Sequence, residues 1–174
     1  MEVRAGNQEL RPLHLMRNAF HQAEHRAAII GIGNPMRGGD SVGPMAVQRV
    51  GLYPAWAADP IDLLDQMANL EAVVIIDAAL GPDVGQVDVW TLSEAKGSIL
   101  PDKGVSHILG LREALLLAEV LHGLPSFFRL VTVGIGGADW GTEVDGRILL
   151  AVEQAAATAE CLLEQAFAKE HQSP

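Results

Sequence analysis

A chain of 174 residues, 49% hydrophobic and 20% charged, is long enough to bury one sheet under covering helices and short for two domains. Its 22 acidic against 12 basic residues give a formal charge of -10, which argues against nucleic acid or an anionic membrane as partner, since both are bound through clustered Lys and Arg. No apolar run reaches the ~18 to 20 residues of a membrane span, no signal-peptide stretch opens the chain, and a lone cysteine, Cys161, excludes an internal disulfide and a multi-cysteine metal cage; a cytoplasmic protein is expected.

Residues 1–25 are polar and weakly patterned and read as an N-terminal extension, with a single domain over 26–170. Within the extension, His21-Gln22-Ala23-Glu24-His25 fits the His-x-x-Glu-His zinc pattern of inverted zinc peptidases. Such ligands need a helix held rigid by an apolar face, and this is the least core-like part of the chain. A solvated helix is the expectation there.

From residue 26 onward strands and helices alternate. RAAIIGIG (26–33) predicts a strand, Ser41 to Val50 a helix, and GLYPAWAAD (51–59) a short strand that Pro54 confines to a sheet edge or a loop. A helix follows over roughly Ile61 to Asn69, then the strands EAVVIIDAA (71–79) and GQVDVWTL (85–92). Ser106 to Leu121 reads as a long helix, FFRLVTVGIGG (127–137) as the last strand, and Asp145 to about Lys169 as the last helix. That helix carries Ile148, Val152, Ala155, Ala159, Leu162 and Ala166 as one apolar stripe, with Cys161 opposite it as an unpaired, exposed thiol. The alternation predicts an α/β fold: a three-layer sandwich, its mostly parallel twisted sheet flanked by helices.

The stretch GIGNPMRGGDSVGP, Gly31 to Pro44, invites three chemistries. As a dinucleotide fingerprint it fails because Met36 stands at the third glycine position. As a phosphate loop it fails because Gly39 and Asp40 stand where Lys and Ser or Thr belong, and Asp40 would repel phosphate. Gly39-Asp40-Ser41-Val42-Gly43 does fit Gly-x-Ser-x-Gly, but a nucleophile elbow follows its strand directly, whereas a loop separates Ile32 from Ser41. The base is also missing, since beyond His122 only His171 remains, in a charged tail.

Three residues stand where an open α/β sheet builds its sites, beyond the carboxyl ends of its strands. Asp40 follows the first strand, Asp77 closes the run Val73-Val74-Ile75-Ile76 at a strand tip, and His107 follows Ser106, a plausible N-cap, at the positive end of a helix that disfavours imidazolium. Two carboxylates and an imidazole suit a borderline divalent cation such as nickel or zinc and leave positions open. Each also has an ordinary explanation: helix N-cap, strand-end turn and surface first-turn residue. Spacing by itself leaves the two explanations about even.

In order and spacing these segments resemble the nickel-iron hydrogenase maturation endopeptidases. GIGN followed by GGDSVGPMAV resembles their opening motif, VVIIDAA their apolar strand ending in aspartate, and SHILGLREAL their histidine three residues ahead of Gly-Leu at a helix start. The resemblance spans 27 to about 165. It implies a phosphorylase/hydrolase-like sandwich and a cytoplasmic enzyme that removes the C-terminal extension of a hydrogenase large-subunit precursor after nickel insertion. It further implies that Asp40, Asp77 and His107 are catalytic and contact a metal, nickel carried by the substrate, with zinc or cadmium able to substitute. Asn34, Gly39 and Trp140 are then the expected substrate contacts. Two departures stand out. Gly39 occupies a place usually acidic in the family, and the Asp-Gly-Gly usual after the second strand is replaced by Asp59-Pro60-Ile61-Asp62. They keep open a non-cleaving, chaperone-like nickel sensor, and Ser41 keeps open a serine hydrolase.

Overall fold

The apolar run Ala27–Ile32 forms strand β1 with every residue buried, as expected of a strand covered on both faces. The structure, a computed structural model, describes residues 26–53, 55–59, 62–81, 83–97, 108–141 and 143–170. The other strands are β2 (Ala55–Ala58), β3 (Ala72–Leu80), β4 (Val87–Thr91) and β5 (Phe127–Ile135). They form one sheet in the order β2-β1-β3-β5-β4. All neighbours are parallel except β4, which lies antiparallel on β5. The segment with Pro54 therefore supplies an edge strand, as its proline requires.

A 3-10 turn, Gly38–Ser41, leads into helix α1 (Val42–Val47); α2 is Leu63–Met67, α3 Leu92–Lys96, α4 Ile108–Leu121 and α5 Gly146–Glu170. Side chains alternate across the sheet and divide the core into two layers. On one face Ile29, Val74, Ile76, Val131 and Val133 pack under α1 and α5. On the other, Ile30, Ile32, Val73, Ile75 and Leu130 meet Leu63 and Met67 of α2 and Leu111 and Leu115 of α4. The result is the expected three-layer sandwich. Among the described residues no helix is long and apolar enough to cross a membrane.

The glycines of the first motif are contact points. A Cβ on Gly31 would stand 2.2 Å from the Gly43 carbonyl oxygen, and one on Gly43 would stand 2.1 Å from that of Ile32. Helix α1 therefore rests backbone on backbone against β1, which only glycine permits.

Two expectations need amendment. The buried stripe of α5 passes through Ile148, Val152, Ala155, Ala159, Leu163 and Phe167, with Leu162 only partly buried. Ile148 to Ala159 and Val152 to Leu163 repeat at eleven residues, about 3.67 per turn and nearer the 3.6 of a straight helix than the 3.5 of the expected seven-residue stripe. Helix α3 is an element beyond those expected from periodicity. Thr91 and Glu94 form its capping box: Glu94 Oε2 accepts the Thr91 N–H at 2.7 Å and Thr91 Oγ1 accepts the Glu94 N–H at 3.4 Å.

Candidate metal and peptide site

The chain leaves β1 through the Gly33 to Ser41 loop, returns as β2 on one side of β1, and then crosses to β3 on the other side. The carboxyl ends of β1 and β3 thus form a topological switch point, where open α/β sheets leave a crevice. Asp77 lies in β3 one residue past Ile76, the last β3 residue paired with β1, and its pairing with β5 continues from Thr132 to Ile135. The expectation that Asp77 ends its strand is corrected accordingly. Because β5 is long enough to pair through Leu80, the carboxylate sits inside the sheet, 0% exposed, and not at a solvated tip.

Asp77 Oδ1 accepts the Ala78 N–H at 2.7 Å, whereas Oδ2 is buried with no hydrogen-bond partner among the described residues. Burial, helped by the Asp40 charge and opposed by the Ala78 N–H, pushes its pKa up to about 8. Asp77 is therefore largely the neutral acid at pH 7.

Asp40 is 2% exposed. It is not a helix N-cap: the flanking cap positions are Arg37 and Ser41, and neither makes a side-chain capping bond. Its Oδ2 accepts the Asn34 N–H at 3.1 Å, while Asn34 Oδ1 accepts the Met36 N–H at 2.9 Å in an Asx turn. Gly33 takes φ 136°, and a Cβ there would stand 2.0 Å from the Asp40 carbonyl oxygen. Gly33 and Asn34 together fold the loop back onto Asp40.

The loop after β5 closes the other side. A Cβ on Gly39 would lie 2.6 Å from the Gly137 carbonyl oxygen and 3.0 Å from Ile135 Cβ. Trp140, 64% exposed, carries the Arg37 guanidinium 4.6 Å from its ring centre, and Met36 beside it is 67% exposed. A cavity of about 300 Å³ opens beside Gly39 between Gly137, Asp139 and Ile148.

Ser41 is 5% exposed, and its hydroxyl donates to the Gly38 carbonyl at 2.6 Å and contacts Met45 Sδ at 3.1 Å. An elbow nucleophile must present its oxygen to the substrate; this one is buried and committed to the turn. The serine-hydrolase expectation is set aside on that ground.

The structure thus brings Asp40 and Asp77 together, with Asn34, Gly39 and Trp140 in the loops around them. His107, like His21, Glu24 and His25, lies outside the described residues, among which no group of three His, Cys, Asp or Glu side chains is placed to hold a metal ion. Helix α4, which His107 precedes in sequence, packs on the sheet face that carries Val73 and Ile75, and strand alternation directs Asp77 to the same face. Two buried carboxylates, one with an unsatisfied oxygen, make a place for a positive charge. A proton satisfies it, and an oxygen-binding divalent cation fits the same donors. The sequence reading missed Arg37, because its contact with Trp140 joins loops a hundred residues apart and leaves no local signal.

No family model matches the chain, and no curated protein matches it. Solved structures do. The hydrogenase maturating endopeptidase HybD of E. coli is 20% identical with a TM-score of 0.69, covering 81% of this chain and 93% of that one. The [NiFe] hydrogenase maturation protease HybD of Thermococcus kodakarensis is 23% identical with a TM-score of 0.67, covering 79% and 98%. The maturation protease HycI of the same archaeon is 22% identical with a TM-score of 0.62, covering 84% and 98%. At these identities the likeness establishes a shared fold.

Proposed function

We propose that this protein is a cytoplasmic endopeptidase of nickel-iron hydrogenase maturation, one that removes the C-terminal extension of a large-subunit precursor once nickel has been inserted. The single observation that carries the reading is the buried Asp77 Oδ2, without a hydrogen-bond partner among the described residues, beside Asp40 at the switch point of the sheet. A group desolvated at such cost needs a function in which its oxygen gains a partner. The order of the three sequence motifs and the fold shared with solved maturation proteases support the same reading.

On this reading the nickel belongs to the substrate. Asp40, Asp77 and His107 face the loaded centre and hold the scissile peptide beside it, so cutting is coupled to nickel insertion. Zinc or cadmium takes the same oxygen and imidazole donors in nickel's place. Asn34 and Gly39 shape the loop along which the peptide passes, and Trp140 offers it an apolar contact.

Gly39 favours one competing reading. The Gly137 carbonyl occupies the space a side chain would need, so the acid usual at this place has no room, and a non-cleaving nickel sensor would need none. Nickel-loaded precursor incubated with the protein separates the two by mass spectrometry. Shortening by the extension, lost in Asp77→Asn, is expected. A stable complex without shortening favours the sensor, and neither complex nor shortening overturns both.

A further inference from the structure

Arg37 is the least explained charged residue of the site. Its main-chain carbonyl accepts the Asp40 N–H at 2.7 Å and its own N–H donates to Asn34 O at 3.1 Å, so its backbone is fixed in the turn that presents Asp40. Its guanidinium lies on Trp140. Yet its Nε is buried without a hydrogen-bond partner, and the guanidinium forms no ion pair among the described residues. A buried donor left unsatisfied costs stability, and a guanidinium held flat on an indole has already lost much of its rotamer freedom. The Nε is closed to solvent but Arg37 as a whole is only partly buried, so an acceptor arriving from outside meets the outer nitrogens of a guanidinium whose plane the indole already holds.

The surroundings define that acceptor. Two large apolar side chains near Arg37 are exposed: Met36, its neighbour in the chain, and Trp140, on which its guanidinium lies. The Gly39–Gly137 approach and the weak Gly141 N–H to Met36 carbonyl contact at 3.5 Å join the two loops into one rim. The partner must therefore offer an oxygen acceptor flanked by an apolar side chain. Asp40 lies three residues away and the whole chain is acidic at -10, which disfavours a carboxylate and favours a neutral carbonyl.

We propose that Arg37, stacked on Trp140, is a substrate-binding residue that donates to a main-chain carbonyl of the peptide next to the scissile bond, while Met36 and Trp140 hold the apolar side chain beside it. The proposal rests on the endopeptidase reading and names the subsite that gives it peptide selectivity. It accounts for Gly39 as well, because a side chain there would separate the two loops that make the subsite.

The test is calorimetric titration of a synthetic peptide spanning the large-subunit cleavage junction into wild type, Arg37→Ala, Arg37→Lys and Trp140→Ala, without added metal. Affinity is expected to fall about tenfold or more in the two alanine variants, with partial recovery in Arg37→Lys. Amidating the peptide's acidic side chains is expected to change nothing, and a loss of affinity there overturns the carbonyl assignment. Equal affinity across the variants, or no binding to wild type, overturns the subsite. Trp140 is exposed, so its variant remains informative should Arg37→Ala fold poorly. In parallel, precursor cleavage by the same variants is expected to show a raised KM and a kcat within about twofold of wild type. Wild-type cleavage with unaltered variant binding removes the subsite and leaves the function. Weakened variant binding without wild-type cleavage removes the function and leaves the subsite.

Discussion

Asp77 is buried beside Asp40 where β1 and β3 part, and its burial, with a smaller contribution from the Asp40 charge and against the Ala78 N–H, lifts its pKa to about 8. The consequence for stability has a definite sign. Below pH about 4 folded and unfolded chains both hold the Asp77 proton. Between about 4 and 8 the unfolded chain releases a proton that the folded chain keeps, which favours unfolding by up to ~1.4 kcal/mol per pH unit, and above about 8 the penalty is constant. Asp77→Asn is neutral throughout, so at pH 7 it is expected to raise Tm by at least ~3 °C and to flatten the decline in stability between pH 5 and 8. Thermal unfolding of both proteins across that range checks it. A less stable variant would mean that the carboxylate is structural.

Gly39→Asp puts a side chain into the Gly137 carbonyl. Backbone on both sides limits relief, so a loss of about 1 to 3 kcal/mol in denaturant unfolding is expected. The loop carrying Trp140 is expected to move away with it, reported by greater quenching of Trp140 fluorescence in a background with Trp56 and Trp90 replaced by Phe. Unchanged stability would show that the loop after β5 yields freely.

The strands were legible because each is a short apolar run closed by glycine, aspartate or a polar turn, and β1 is apolar throughout since it lies between β2 and β3. Asp40 is legible as a residue beyond the end of β1 and Asp77 as the residue closing an apolar run, but not that β3 continues past it and buries it. Whether a strand continues past its last apolar residue depends on its neighbour's length, here β5, which sequence periodicity does not report. The Thr91-x-x-Glu94 signal for α3 is masked in the sequence because Thr91 is also the last residue of the apolar strand β4. The Arg37–Trp140 contact and the Gly39–Gly137 approach arise from loop closure and have no pattern in the chain.

Ser41→Ala separates the two meanings of Gly-x-Ser-x-Gly. Since the hydroxyl is bonded to the Gly38 carbonyl inside the turn, its removal is expected to cost about 1 kcal/mol and to leave precursor cleavage within about twofold of wild type. Fluorophosphonate is expected not to label the protein. Loss of cleavage with the fold intact, or labelling at Ser41, would restore the serine mechanism.

Metal binding tests His107, the third residue proposed for the site, together with the two carboxylates. A cation displaces the proton that Asp77 holds up to about pH 8, so nickel or zinc affinity is expected to rise from pH 6 to 8 and binding to release a proton. Calorimetric titration of Asp77→Asn and His107→Ala is expected to show affinity at least ~tenfold below wild type, because each removes one of the few donors proposed for the site. His21→Ala is expected to bind as wild type does, since His21 belongs to the polar N-terminal stretch of the sequence and to none of the three motifs. If His21→Ala instead abolishes binding while Asp77→Asn does not, the metal belongs to the His21-x-x-Glu24-His25 segment. The orphaned Asp77 oxygen would then be answered by a proton alone.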